Sequence, residues 1–345
     1  MSRVFILNDC QNLFHRQAHM VNPALGVDSM VGMALHMILY SMKKEWTTFN
    51  GTHAVCFMEG KSWRKNIYPA YKADRAVKFA TLSEKDREDH KILQEAFDDL
   101  MQYISKNTNI TVLRNPNAEA DDMVAVFVEA HPDDKHILIS SDSDFYQLLR
   151  HGNLIIYDPV KDIRIQQDGV YNDAGEKLSF TINGGKLKIG QPDPSFVTED
   201  KWYEYALFIK CIRGDATDNI FSAFPGVREK GTKNTIGIRE AYHDQENMGY
   251  LWNNFFMQRW IDHNGVEQQV KTCFDMNKRL IDLSLIPDNI KIECIQNIVE
   301  QTEKPPVPAS DIGTFFYKFV GKWNLTKIGN NAAQFMPMLK SKYIV

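Results

Sequence analysis

Five short apolar, β-rich runs, at residues 4–7, 54–58, 110–113, 137–139 and 154–157, punctuate the first half of the chain. Between them lie stretches with helical spacing, such as 30–42 and 92–104. Strands that alternate with helices return to the same sheet by crossover, so the pattern predicts an α/β domain on a mostly parallel sheet. From about 162 to 193 the texture turns to polar β segments. They are broken by Asn172-Asp173-Ala174-Gly175 and Asn183-Gly184-Gly185, turn signals for one or two hairpins that we read as an appended β insert. After Thr198 the spacing is helical, at 203–211, 248–261, 270–283 and 290–299. A proline-rich joint, 304–308, precedes a last aromatic-rich helix near 312–323. The expected domains are thus 1–199, carrying the sheet, and a helical part at 200–345.

Composition removes several classes. A chain of 345 residues with 43% apolar residues can bury a large core. Five cysteines, at 10, 56, 211, 273 and 294, form no C-x-x-C pair, which disfavours a disulfide framework or zinc ribbon and points to a reduced compartment. The opening MSRVFILNDCQNLFHR holds too short an apolar run for a signal peptide, and no stretch approaches eighteen apolar residues. We therefore expect a soluble, cytoplasmic, monomeric protein that does not engage a membrane. A formal charge of -4 gives no global attraction for nucleic acid, so any such surface must be local.

Carboxylates crowd the predicted strand ends, where ligands bind in parallel sheets. The first strand runs into Asp9 and the second into Glu59, and either acid could equally be a turn or cap residue. Glu119, Asp121 and Asp122 occupy the first turn of a predicted helix. Dipole compensation explains acids there, but three so close repel unless a cation neutralises them. The fourth strand leads into Asp142-Ser143-Asp144, whose carboxylates at i and i+2 can face one site. Asp215 and Asp218 follow in Gly214-Asp215-Ala216-Thr217-Asp218-Asn219, by itself an ordinary turn. Together these oxygen-only groups suit two hard divalent ions, Mg²⁺ with Mn²⁺ as substitute, of the kind that cleave phosphodiesters.

Basic residues are local. Between 61 and 78 stand six, Lys61, Arg64, Lys65, Lys72, Arg75 and Lys78, against the single acid Asp74, interleaved with Trp63, Tyr68 and Tyr71. That mixture suits a loop that neutralises a backbone and stacks bases, the alternative being a solvated charged loop. A second stretch, 226–239, carries Arg228, Lys230, Lys233 and Arg239 with Gly226, Gly231 and Gly237, suited to backbone contact with phosphates or to a plain helix connection.

In combination, Asp9-Cys10-Gln11-Asn12, Tyr68-Pro69-Ala70-Tyr71-Lys72-Ala73-Asp74-Arg75, Glu119-Ala120-Asp121-Asp122, Ser141-Asp142-Ser143-Asp144 and Gly214-Asp215-x-x-Asp218-Asn219 resemble the flap endonuclease and 5'-3' exonuclease superfamily. Residues 280–290 resemble its T-even phage ribonuclease H branch most. The resemblance implies a PIN-like nuclease domain with a helical arch at about 60–95 and a helix-three-turn-helix motif after Asp218. It implies that Asp9, Glu59, Glu119, Asp121 and Asp142 serve the metal that activates water, that Asp144, Asp215 and Asp218 serve a second, and that Asp122 supports either. Lys72 and Arg75 match the family's basic pair beside the scissile phosphate, and Tyr71 would stack on a terminal base. Lys61, Arg64 and Lys65 would contact nucleic acid, as would Gly226, Arg228, Lys230, Gly231 and Lys233 in a duplex-binding hairpin that holds K⁺. The implied task is Mg²⁺-dependent hydrolysis near 5' ends of RNA-DNA hybrids, flaps or nicked duplexes, such as RNA primer removal, in a phage replication setting within the host cytoplasm. A single-stranded-DNA-binding or replication protein is the implied partner of the C-terminal region.

Two departures stand out: Glu59 where the family has Asp, and Cys10 where it has Gly. Two other readings remain. A haloacid-dehalogenase-like phosphatase would use Asp142-x-Asp144 and form an aspartyl-phosphate, but leaves Glu119, Lys72 and the basic loop unexplained. A protein that binds structured DNA without cutting it would have lost turnover through Glu59 and Cys10.

Overall fold

The structure, a computed structural model, describes residues 3–21, 26–190 and 201–343. The expected boundary at 199/200 and the last three residues of the expected β insert lie outside them. In chain order the first half contains β1 (Val4–Asp9), α1 (Cys10–Ala18), α2 (Val27–Thr48) and β2 (His53–Met58). A 3-10 turn (Trp63–Asn66), α3 (Ala73–Ala80), α4 (Glu84–Asn107), β3 (Thr111–Arg114) and α5 (Ala120–Ala130) follow. Next come β4 (Lys135–Ile139), a 3-10 segment (Ser143–His151) and β5 (Leu154–Asp158). These five strands lie parallel in the order β3-β2-β1-β4-β5, and every residue of β2 is buried, as expected of a central strand covered on both faces.

Five short strands continue the chain: β6 (Ile163–Gln166), β7 (Gly169–Asn172), β8 (Lys177–Leu178), β9 (Phe180–Asn183) and β10 (Lys186–Ile189). The expected insert is only partly an appendage. β6, β7 and β8 extend the main sheet antiparallel from β5, because alternate residues Ile163, Ile165 and Val170 turn into its core. β9 and β10 form a separate hairpin.

The remaining elements are α6 (Trp202–Arg213), α7 (Ile238–His243), α8 (Tyr250–Met257), β11 (Arg259–Ile261), β12 (Glu267–Gln269), α9 (Val270–Ile281), α10 (Asp288–Thr302), α11 (Ala309–Lys322), α12 (Thr326–Gly329) and α13 (Met336–Lys340). The helix expected over 248–261 ends at Met257. Gln258 is extended, and Arg259–Ile261 pairs with Glu267–Gln269 across a turn in which Asp262 Oδ1 accepts from the N-H groups of Asn264 and Val266. Turn chemistry outweighs the helical period there.

Two apolar layers flank the sheet. Phe5, Leu7, Val55 and Phe57 pack with α5, α6, α9 and α10, while Cys56 and Met58 pack with α1, α2, α4, α11 and α13. The strands' carboxyl ends are left as an open edge between them. Over that edge project α3, which buries none of its residues, and the first turns of α4, capped by Ser83 Oγ accepting from Asp86 N-H.

Candidate active site

Each parallel strand delivers an acid to the same edge. Asp9 ends β1 and caps α1, one oxygen accepting from Asn12 N-H (3.0 Å) and the other from Ser140 Oγ (2.9 Å). Glu59 follows β2 and accepts from Ala120 N-H (3.0 Å), spanning to the start of α5. Glu119 and Asp122 form a capping box at that helix, and Asp121 lies between them. Asp142 caps the 3-10 segment after β4 by accepting from Asp144 N-H (3.0 Å). The cap reading and the site reading of these acids therefore coincide.

The electrostatics record the crowding. Burial raises Asp9 to about 6 against the hydrogen bonds it accepts, and the charges of Asp142 and Glu59 add to the rise. Burial, then Asp142, Asp9 and Glu59, push Asp121 well above the usual carboxylate range. Burial also raises Glu59. Glu119 behaves oppositely: burial would raise it, but Lys72 and Arg64 hold it below its ordinary value.

Lys72, in the left-handed conformation (φ 55°) just before α3, directs Nζ onto Glu119 Oε1, with Glu59 and Asp218 carboxylates at 3.9 Å. Arg75, one turn on and half exposed, pairs with Asp218 (2.7 Å). A second acid group lies alongside. Lys210 Nζ, near the end of α6, bridges Asp144 and Asp215, the latter at 2.9 Å. Burial would raise Asp215, but Lys210 and the Thr217 hydrogen bonds bring it down to about 2. Gly214 makes the turn possible: its φ is 71°, and a Cβ there would stand 2.3 Å from the Ile220 carbonyl.

Four expectations need correction. Arg64 contacts no solvent-facing ligand; it is 2% exposed, and its guanidinium binds Asp122 (2.8 and 3.0 Å), Glu119 (2.9 Å) and the Leu280 carbonyl (2.7 Å). Asp122 is fully buried and spends its oxygens on Arg64, Trp63 Nε1 (3.1 Å) and Glu119 N-H (3.1 Å), so it orients Arg64 rather than facing an ion. Tyr71 is buried and donates to Glu119 and Asp218 (both 3.0 Å), so its ring offers no free face for stacking. Trp63 is buried with it, whereas Lys61 and Lys65 are exposed as a backbone contact requires.

The loop after Asp218 borders a cavity of about 950 Å³ between Gly226, Arg228, Lys233 and α8. Lys230 is exposed beside it. Gly231 and Gly237 touch backbone to backbone, where a Cβ on either would meet the other's N at 2.8 Å or less, and Glu240 accepts from both N-H groups.

The donor set of Asp9, Glu59, Asp121 and Asp142 is all oxygen, which fits hard divalent cations, and the charges of Asp142 and Glu59 reach both Asp9 and Asp121. Among the described residues no three acids surround a single point, and Lys72 and Lys210 pair with the carboxylates of Glu119, Asp144 and Asp215. Sequence reasoning missed Lys210. Its signal was a lysine in the last turn of the helix that delivers Gly214-Asp215, where a cation also suits the helix dipole.

Residues 4–175 match the family model of the 5'-3' exonuclease N-terminal, resolvase-like domain. The chain is 30% identical over 236 residues to Flap endonuclease Xni of Psychromonas ingrahamii, covering 67% of this chain and 71% of that protein. It is 26% identical over 328 residues to Ribonuclease H of Enterobacteria phage T4, covering 88% and 87%. A bacteriophage T5 flap endonuclease, solved in a pseudo-enzyme-product complex with DNA and metal ions, shares the fold with a TM-score of 0.55 at 17% identity, over 93% of this chain and 100% of that one.

Proposed function

Because the chain belongs to the flap endonuclease and 5'-3' exonuclease superfamily, we propose that it is a Mg²⁺-dependent 5' nuclease that hydrolyses phosphodiester bonds near 5' ends. Its substrates would be RNA-DNA hybrids and 5'-flap or nicked duplexes, as in primer removal during phage DNA replication. The relatives named for flap and ribonuclease H activity, and the T5 structure holding DNA and metal ions, support this reading. The observation that carries it is the convergence of Asp9, Glu59, Glu119, Asp121 and Asp142 on one sheet edge with Lys72 set among them.

Asp9, Glu59, Asp121 and Asp142 would hold one divalent cation, and Asp144, Asp215 and Asp218 a second, with K⁺ at the loop of Gly226 and Gly231. Bound there, divalent cations would supply Lewis acidity toward a phosphoryl oxygen and lower the pKa of a coordinated water. The chain's own residues do the rest. Lys72, kept protonated by Glu119, Asp218, Asp121 and Glu59 despite its burial, places a positive charge where a phosphorane gains negative charge. Arg75, reaching the edge from exposed α3, offers a donor fork to the same phosphate. Arg64 and Tyr71 fix Glu119 from behind. The exposed Lys61 and Lys65, with Arg228, Lys230 and Lys233 around the large cavity, would neutralise the backbone away from the scissile bond.

The test is cleavage of a 5'-labelled RNA-DNA hybrid beside a 5'-flap DNA duplex, with Mg²⁺ or EDTA, by wild type and Asp142→Asn. Short 5' products that require both Mg²⁺ and Asp142 are expected. Unchanged turnover in the variant would sink the site assignment, and binding without cleavage in Mg²⁺ or Mn²⁺ would replace the nuclease by a binding protein.

A further inference from the structure

The edge of the sheet opposite the carboxylates carries a feature the nuclease chemistry does not use. α4 brings the chain to the start of β3, so its last turn lies at the amino-terminal edge. Two neighbouring cavities, of about 300 and 310 Å³, open there on either side of Lys106. The first lies between α4 and α11 and is lined also by Lys318 and Lys322; the second is lined also by Lys304 and Lys342. All five lysines are exposed. The only acid lining either cavity among the described residues is Asp99, which Lys322 (2.8 Å) and Trp323 Nε1 (2.9 Å) already engage. In a chain of net charge -4 this is a concentrated positive surface.

Its floor is apolar. Phe315 and Phe319 line the first cavity with Tyr103, which stacks on Phe319 at 4.4 Å. Tyr103 is 9% exposed, and its buried hydroxyl has no hydrogen-bond partner. We propose that this trough docks an acidic peptide segment of a partner protein, its carboxylates running along the lysines and one apolar side chain seated on Phe315 and Phe319. Nucleic acid fits less well, because bases stack on exposed ring faces and these rings are packed against each other or half-buried. An acidic segment with an apolar anchor matches both the charge and the cavity.

The probe is a fluorescein-labelled peptide of six alternating Asp and Glu followed by Leu-Phe, titrated by anisotropy with the full chain at low and high salt. Saturable binding is expected that salt weakens and that the double variant Lys106→Glu/Lys318→Glu weakens by about tenfold or more, roughly 1.4 kcal/mol. Replacing Leu-Phe by Ser-Ser in the peptide should also weaken it. The double variant should keep the wild-type melting midpoint and flap cleavage, since neither lysine lies at the carboxylate edge. Equal binding by wild type and variant, or no saturable binding, overturns the proposal. So does an oligo-dT that binds through these lysines while the peptide does not, which would assign the trough to nucleic acid.

Discussion

Arg64 and Asp122 form a two-pronged ion pair inside the protein, Nη2 to Oδ1 at 2.8 Å and Nη1 to Oδ2 at 3.0 Å, with both side chains at most 3% exposed. The same guanidinium holds Glu119. Breaking a buried pair from one side leaves a charge without a partner, typically costing about 3–5 kcal/mol. Arg64→Met should therefore lower the unfolding free energy by about that amount and release Glu119. Combining it with Asp122→Asn should recover part of the stability but not the cleavage rate. Urea denaturation of the single and double variants checks both statements.

Lys72 sits with its ammonium among the same carboxylates a cation would need. Lys72→Ala should thus have opposite effects on two readouts. Cleavage at saturating Mg²⁺ should fall by about two orders of magnitude, as expected for a lost electrostatic stabiliser. Mg²⁺ affinity, measured by calorimetry, should rise, because a like charge within about 4 Å has been removed. A variant that loses activity with unchanged or weaker Mg²⁺ binding would contradict the placement.

Gly60 holds Glu59 against the chain that leads into α5. A Cβ there would lie 1.9 Å from the Asn115 carbonyl oxygen and 2.4 Å from that of Ala118. Gly60→Ala must push the two segments apart and carry Glu59 away from Ala120 N-H, 3.0 Å distant in the native structure. We expect a loss of about 2 kcal/mol in stability by overpacking together with reduced cleavage, whereas Gly175→Ala, in open space, should leave cleavage at the wild-type rate.

Two histidines buried at the start of β2 and of β4 should make the fold acid-labile. Burial lowers His53 to about 4, against the opposing Ser341 carbonyl, and lowers His136 to about 3 with help from the charge of His131. The unfolded chain takes up these protons near 6.5, so stability is full above that pH and declines as pH falls towards 4. Between pH 7 and pH 5 each histidine should cost about 2 kcal/mol. Melting curves at the two pH values, with His136→Phe flattening the difference, test this.

Much of the architecture was legible because its signals are local. The five parallel strands follow from apolar runs, and Asp9, Glu119 and Asp142 stand at strand ends for the same reason that they cap the following turns. Tyr71, Trp63 and Arg64 were misread because a short aromatic and basic stretch looks alike in solvent and in a crevice. Arg64 is buried among residues far away in the sequence, its Nε donating to the carbonyl of Leu280, 216 positions away. The C-terminal end of the helix expected over 248–261 failed for the converse reason, a hairpin turn at Asp262 that outbids periodicity.

The parallel sheet, the acids at its carboxyl edge and the family can all be read from contiguous residues, because period, caps and motif spacing are local properties. Long-range packing sets which acids face outward and which are spent on Arg64. It also set Lys210 between Asp144 and Asp215, and opened a lysine-rimmed trough at the far edge. Those outcomes depend on desolvation and on charges brought within about 4 Å across distant parts of the chain. Such energies exist only once the elements are packed.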